Sequence, residues 1–172
     1  MKKIAFVIGH HELSKGAKSK FIAQEWDLMS EVAKGLEYDV FHHDSSIGGY
    51  TTRQKAMAKR TADYDIVFEL HYNAAHPIAN GCEAIHWFAN DYGKMVSKKF
   101  CSMVSREFGI TNRGAKPIHS RTQRGYGFLY HTKGTAIILE PFFGSNFEDC
   151  ERFSVSKSVS YTHLTLPTIL RV

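Results

Sequence analysis

Apolar residues fall along this chain in two rhythms. Short apolar runs, IAFVI at 4–8, IVFEL at 66–70 (interrupted by Glu69) and TAIIL at 135–139, read as strands buried on both faces. YDVFHH and CEAIHWF read as two more strands. Elsewhere the apolar positions recur every three or four residues. Ile22, Trp26, Met29, Val32, Ala33 and Leu36 predict an amphipathic helix over 21–36. Tyr92, Met95, Val96, Phe100, Met103 and Val104 predict another over 91–108. TTRQKAMAKRTADY predicts a helix with a basic face, and a last helix is expected after Asn146. Residues 109–127, rich in Gly, Arg and Lys, read as a loop.

Strands alternating with helices predict an α/β fold, an open mostly parallel twisted sheet with helices on both faces. The chain has 172 residues, which fits one domain with a sizeable core. With 43% hydrophobic and 23% charged residues the composition is that of an ordinary globular protein, which argues against disorder. A net charge of +5 suits an anionic partner such as cell wall, nucleic acid or a membrane surface, and suits a merely basic protein as well. No RNP-like aromatic strand is present, so nucleic acid is not expected. No run reaches the ~20 apolar residues that a membrane span needs, so no membrane insertion is expected. The opening MKKIAFVIGHH starts like an export signal, but its apolar run stops at Ile8 and is broken by Gly9 and two histidines. Cys82, Cys101 and Cys150 are odd in number and widely spaced, which predicts reduced thiols and synthesis in the cytoplasm.

In open α/β sheets ligands bind beyond the carboxyl ends of the strands. Three of the buried runs end on a side chain that can bind metal or titrate: IAFVI on Gly9-His10, IVFEL on His71, TAIIL on Glu140. Glu25 joins them from the first helix. At 100° per residue it shares the apolar sector of Met29, Val32 and Leu36, where an unpaired carboxylate costs several kcal/mol. A metal or a cationic partner removes that cost, and a salt bridge to a lysine or arginine is the plainer alternative. His10, Glu25 and His71 make a two-histidine, one-carboxylate set of the kind that binds catalytic zinc with a position left open. Zinc lowers the pKa of bound water toward ~7, and such a site needs a separate base, for which Glu140 is the candidate. Glu69 faces the same side as Val67 and His71 and is assigned no role. His42, His43, His76, His86, His119 and His131 read as surface or loop histidines, with His119 and His131 near the expected cleft.

Taken in order, these segments resemble the zinc-dependent N-acetylmuramoyl-L-alanine amidases of the third type, the catalytic domain of many phage endolysins and bacterial autolysins. The family's Gly-His-Gly after the first strand is matched by IGHH. Its helix-opening glutamate is matched by QEWDLMSEVAKGL, and its Ser-Ile-His-x-Asn-Ala by FELHYNAA followed by GCE. LEPFFGSN matches the segment of the catalytic glutamate, and NRGAK the Arg-Gly of the substrate loop. The resemblance implies Zn2+ held by His10, Glu25 and His71, with Glu140 catalytic and Asn73, Glu83 and Arg113 near the substrate. It implies peptidoglycan as the partner and, for a phage lysin, a holin-type pore for access to the wall; a mother-cell autolysin is the variant. His11 stands where a second glycine is usual, and FEL where Ser-Ile is usual.

A related zinc amidohydrolase acting on a small amide or peptide, and a non-catalytic cell-wall-binding domain, are the alternatives. The segment VSYTHLTLPT lacks a helical stripe and matches what a transposon-end sequencing adapter encodes in one frame. The expected catalytic domain is therefore 1–157, truncated at its last helix, with an artefactual tail at 158–172.

Overall fold

The computed structural model describes residues 2–153. The expected boundary at residue 157 and the tail beyond it lie outside the described residues. Six strands form one sheet: β1 (Ile4–Ile8), β2 (Asp39–His42), β3 (Ile66–Leu70), β4 (Cys82–Trp87), β5 (Asn112–Ile118) and β6 (Thr135–Glu140). Their order is β2-β1-β3-β6-β4-β5. All neighbours are parallel except β4 and β6, so the expected mostly parallel α/β sheet is present.

Side chains alternate across each strand, so one sheet feeds two cores. On one face Phe6, Ile8, Phe68 and Leu70 pack with Leu28, Met29 and Val32 of α1 (Glu25–Ala33) and Val96, Phe100 and Val104 of α3 (Asp91–Phe108). On the other, Ala5, Val7, Val67 and Ile138 meet Met57 of α2 (Tyr50–Arg60) and Phe128 and Leu129 of α4 (Tyr126–His131). Each fully buried large apolar side chain contributes about 1.5–3 kcal/mol. The helix termini follow local chemistry. Asn90 caps α3 by accepting from the Gly93 N–H, and left-handed Gly109 ends it. Asn146 caps α5 (Phe147–Arg152) through the Asp149 N–H. Asp149 in turn accepts from the buried Gly81 and Phe143 N–H groups, tying α5 to the loops before β4 and after β6.

Three expectations are corrected. The first helix begins at Glu25, not at residue 21. Ser19 Oγ accepts from the Phe21 and Ile22 N–H groups, and the Glu25 N–H goes to the Ala17 carbonyl, so the preceding segment is held off the helix axis. The second helix ends at Arg60, four residues short of the expected end. Residues 109–127 are no simple loop: they hold β5 and open into α4. β5 is an edge strand, the one place in a sheet that tolerates Pro117 and a charged, glycine-containing sequence. Among the described residues no helix is long and apolar enough to cross a membrane, and Cys82, Cys101 and Cys150 are free and buried.

Candidate metal and catalytic centre

β1, β3 and β6 are adjacent and parallel, so their carboxyl ends open onto one edge of the sheet. There His10, Glu25 and His71 offer ligand atoms that all lie within 4.8 Å of one another. Glu25 is the hub. As the first residue of α1 it is 3% exposed, with both oxygens engaged. Oε1 lies 2.7 Å from His71 Nδ1 and accepts from the Tyr72 N–H; Oε2 lies 3.2 Å from His10 Nε2 and accepts from the Ala17 N–H. Burial alone would raise the Glu25 carboxyl, but the bonds from His10 and His71 outweigh it and hold the group well below the usual carboxylate range. Glu25 is therefore partnered by two imidazoles, and not by the lysine or arginine of the alternative salt bridge.

The chain makes room for this cluster at its own expense. His10 adopts a left-handed backbone conformation, φ 66°, which costs a non-glycine residue about 1–2 kcal/mol. Such strain collects at functional sites. A Cβ on Gly9 would come within 2.3 Å of the His71 ring, and one on Gly16, φ 74°, within 2.4 Å of Glu25 Oε2. Both positions need the absence of a side chain for the ligands to converge. His11 is buried nearby but is not a member of the cluster, so of the two histidines after Gly9 it is His10 that meets Glu25 and His71.

Glu140 closes the far side. Its carboxylate has no exposure, lines the same cavity of about 500 Å³, and makes no hydrogen bond of normal geometry. Arg124, from the loop before α4, contacts Oε1. A buried carboxylate left this way is costly unless a water or ligand reaches it. Asn73, Glu83 and Arg113 also come together. Asn73 Nδ2 donates to Glu83 Oε1 at 2.7 Å, and Arg113 Nε donates to Glu83 Oε2 at 2.8 Å. Their side chains point to one another and not into the cavity, although the adjacent Ala74 lines it.

Two of the discounted histidines are corrected. His86 is buried at 1% exposure, with Nδ1 at the Trp87 carbonyl, and His43 is buried and lines the cavity. His43 followed an unremarkable strand, and nothing local in the sequence signalled its place. His119 and His131 pack on Phe88 and on Tyr126 and Tyr130, outside the cavity wall.

The cluster has a pH signature in the metal-free protein. Burial lowers the His71 pKa, but Glu25 and Glu69 on its two ring nitrogens overcome this and push it up to about 9 from an ordinary 6.5. The pairing is fully stabilising below about 6.5 and is lost as pH rises through about 9. Glu25 and Glu69 have depressed pKa values, so their contribution is present above about 4.5 and is lost on acidification. Chelator-treated protein is expected to be most stable between these limits and to lose roughly 3 kcal/mol toward pH 10. Thermal melts across pH 4–10 measure this; a flat profile above pH 6.5 would contradict the pairing.

The family model for N-acetylmuramoyl-L-alanine amidase matches residues 4–161. No curated protein matches the chain significantly. Among solved structures it is similar to the catalytic domain of the CD27L endolysin targeting Clostridium difficile, with TM-score 0.81, 22% identity, and 99% and 97% of the two chains covered. It is also similar to the CwlD amidase of Clostridioides difficile, solved with the GerS lipoprotein (TM-score 0.77, 17% identity, 99% and 98% covered). AmiC2 of Nostoc punctiforme, an N-acetylmuramoyl-L-alanine amidase, gives TM-score 0.76 at 17% identity over 99% and 97% of the chains. At these identities the structures attest a shared fold, and it is the family match across nearly the whole sequence that decides membership. The chain belongs to the N-acetylmuramoyl-L-alanine amidase family, enzymes that hydrolyse peptidoglycan.

Proposed function

We propose that this amidase is zinc-dependent and cleaves the amide between the lactyl group of N-acetylmuramic acid and the L-alanine of the stem peptide. The observation that carries the reading is the convergence of two imidazoles and one buried carboxylate on the same cavity as a second buried glutamate, Glu140. That donor set fits zinc: two nitrogens and one oxygen, from three residues that line one cavity. When bound, zinc supplies a Lewis acid for the carbonyl and an acidified water at neutral pH. The protein's own residues do the rest. His10, Glu25 and His71 hold the ion. Glu140 takes the proton from water on its carboxylate and returns it to the departing alanine nitrogen. The burial of Glu140 strengthens each charge interaction it makes there.

Asn73, Glu83 and Arg113 are proposed to border the path of the stem peptide, because their chain of bonds begins next to Ala74 at the cavity wall. Cytoplasmic synthesis followed by release through a holin-type pore is part of the same reading.

Purified sacculi test the proposal. The expected result is loss of turbidity with new alanine amino termini, intact glycan, about one zinc per chain, and activity lost to a chelator and restored by zinc. Cleavage of small amides without action on sacculi would move the substrate to a related amidohydrolase class. Sacculi bound but not cleaved, without stoichiometric zinc, would leave a wall-binding module.

A further inference from the structure

Beyond the three ligand residues, a second buried acid reaches the His71 imidazole at its other ring nitrogen. Glu69 lies two residues before His71 on β3, its side chain 3% exposed, in register with Val7 and Ile138. A carboxylate flanked by apolar strand positions is expensive to bury, so its partners matter. Glu69 Oε2 lies 3.2 Å from His71 Nε2, while Oε1 lies 3.1 Å from His43 Nε2 and 3.4 Å from Gln54 Nε2. His43 and Gln54 are themselves buried and come from separate elements, the end of β2 and α2. Glu69 is thus held on both oxygens, and its second oxygen is presented to the one ring nitrogen of His71 that does not face Glu25.

Metal-ligating histidines characteristically donate their other ring N–H to a carboxylate, which sets the tautomer and the ring's orientation and raises the basicity of the ligating nitrogen. We infer that Glu69 is the positioning residue of the metal centre: it holds the Nε2 proton of His71, leaves Nδ1 as the donor to the ion, and is itself fixed by His43 and Gln54. Glu69 lies outside the ligand cluster. It acts through His71. The inference rests on the zinc reading above and deepens it, since it names the ligating atom and the residues that hold it.

Glu69→Gln keeps shape and volume but replaces the charge with an amide that competes to donate. In zinc-loaded protein titrated against a chelator, this variant is expected to bind zinc 10–100-fold more weakly, whereas Glu140→Gln binds it unchanged. Cobalt-substituted protein reports the coordination geometry through its visible bands, which are expected to shift in Glu69→Gln and not in Glu140→Gln. Because a change in a buried network can unfold the protein, the wild type supplies a second readout. Nitrogen-15 spectra of its zinc-loaded form are expected to show His71 protonated at Nε2 and metal-bound at Nδ1. Unchanged zinc affinity in folded Glu69→Gln, or a wild-type His71 bound through Nε2, overturns the inference and leaves the zinc site standing. A wild-type chain that takes up no zinc overturns the metal site and this inference with it.

Discussion

Glu140→Gln is expected to lower the rate of peptidoglycan hydrolysis by about 10²–10⁴-fold, the usual worth of a positioned general acid–base. An amide in the same place can neither accept the proton of water nor deliver one to nitrogen. The fold should tolerate the change. The Glu140 side chain is without exposure and neither oxygen makes a hydrogen bond of normal geometry, so removing its charge relieves a desolvation cost. Arg124, whose side chain is 63% exposed, remains hydrated when the pairing is lost. The thermal midpoint is therefore expected to hold or rise, and zinc content to stay at the wild-type level, because Glu140 is outside the ligand cluster. Turnover on sacculi, calorimetry and metal analysis give the three values. More than a tenth of wild-type turnover, or loss of zinc with turnover, would remove Glu140 from the role assigned to it.

Glu25→Ala is expected to abolish both zinc retention and activity, and to destabilise the metal-free protein as well. Two imidazoles do not make a zinc site on their own. The truncation also strips the acceptor from the Ala17 and Tyr72 N–H groups and the partner from His71 Nδ1, each a buried or half-buried group costing about 1–3 kcal/mol when left unmade. His10→Ala separates the two effects. Its side chain is 35% exposed and bonds Glu25 alone among the cluster, so that variant should lose zinc while its metal-free midpoint changes little. The pair is read by metal analysis after dialysis and by melts of chelator-treated protein. Glu25→Ala retaining stoichiometric zinc would dismantle the proposed centre.

The local part of this architecture was legible without coordinates. Apolar runs identify β1, β3 and β6, because a strand buried on both faces can admit little else; Glu69, which interrupts the IVFEL run, could be noted but not interpreted. The residue closing each run then marks the sheet edge where ligands gather. Glu25 was visible as a carboxylate on an apolar stripe; the family resemblance put it at the opening of the helix, which the periodicity alone did not. The apolar periodicity extends back through Ile22, and only the bonds from Ser19 and Ala17 stop the helix from following it. β5 and α4 went unread because an edge strand carries glycine, proline and charge as a loop does, and because a helix of six residues is too short to show a period.

What the sequence determined by itself is the set of elements and the chemistry at their ends: His10, His71 and Glu140 after apolar strands, Glu25 on a helix. What only the tertiary structure decided is which ends are neighbours and which buried groups pair. The order β2-β1-β3-β6 sets β2 one strand away from β3, which brings His43 to Glu69 across 26 residues of sequence. Periodicity reports which face a side chain takes along its own strand; it carries nothing about the strand alongside, because that choice depends on crossover packing summed over the whole sheet.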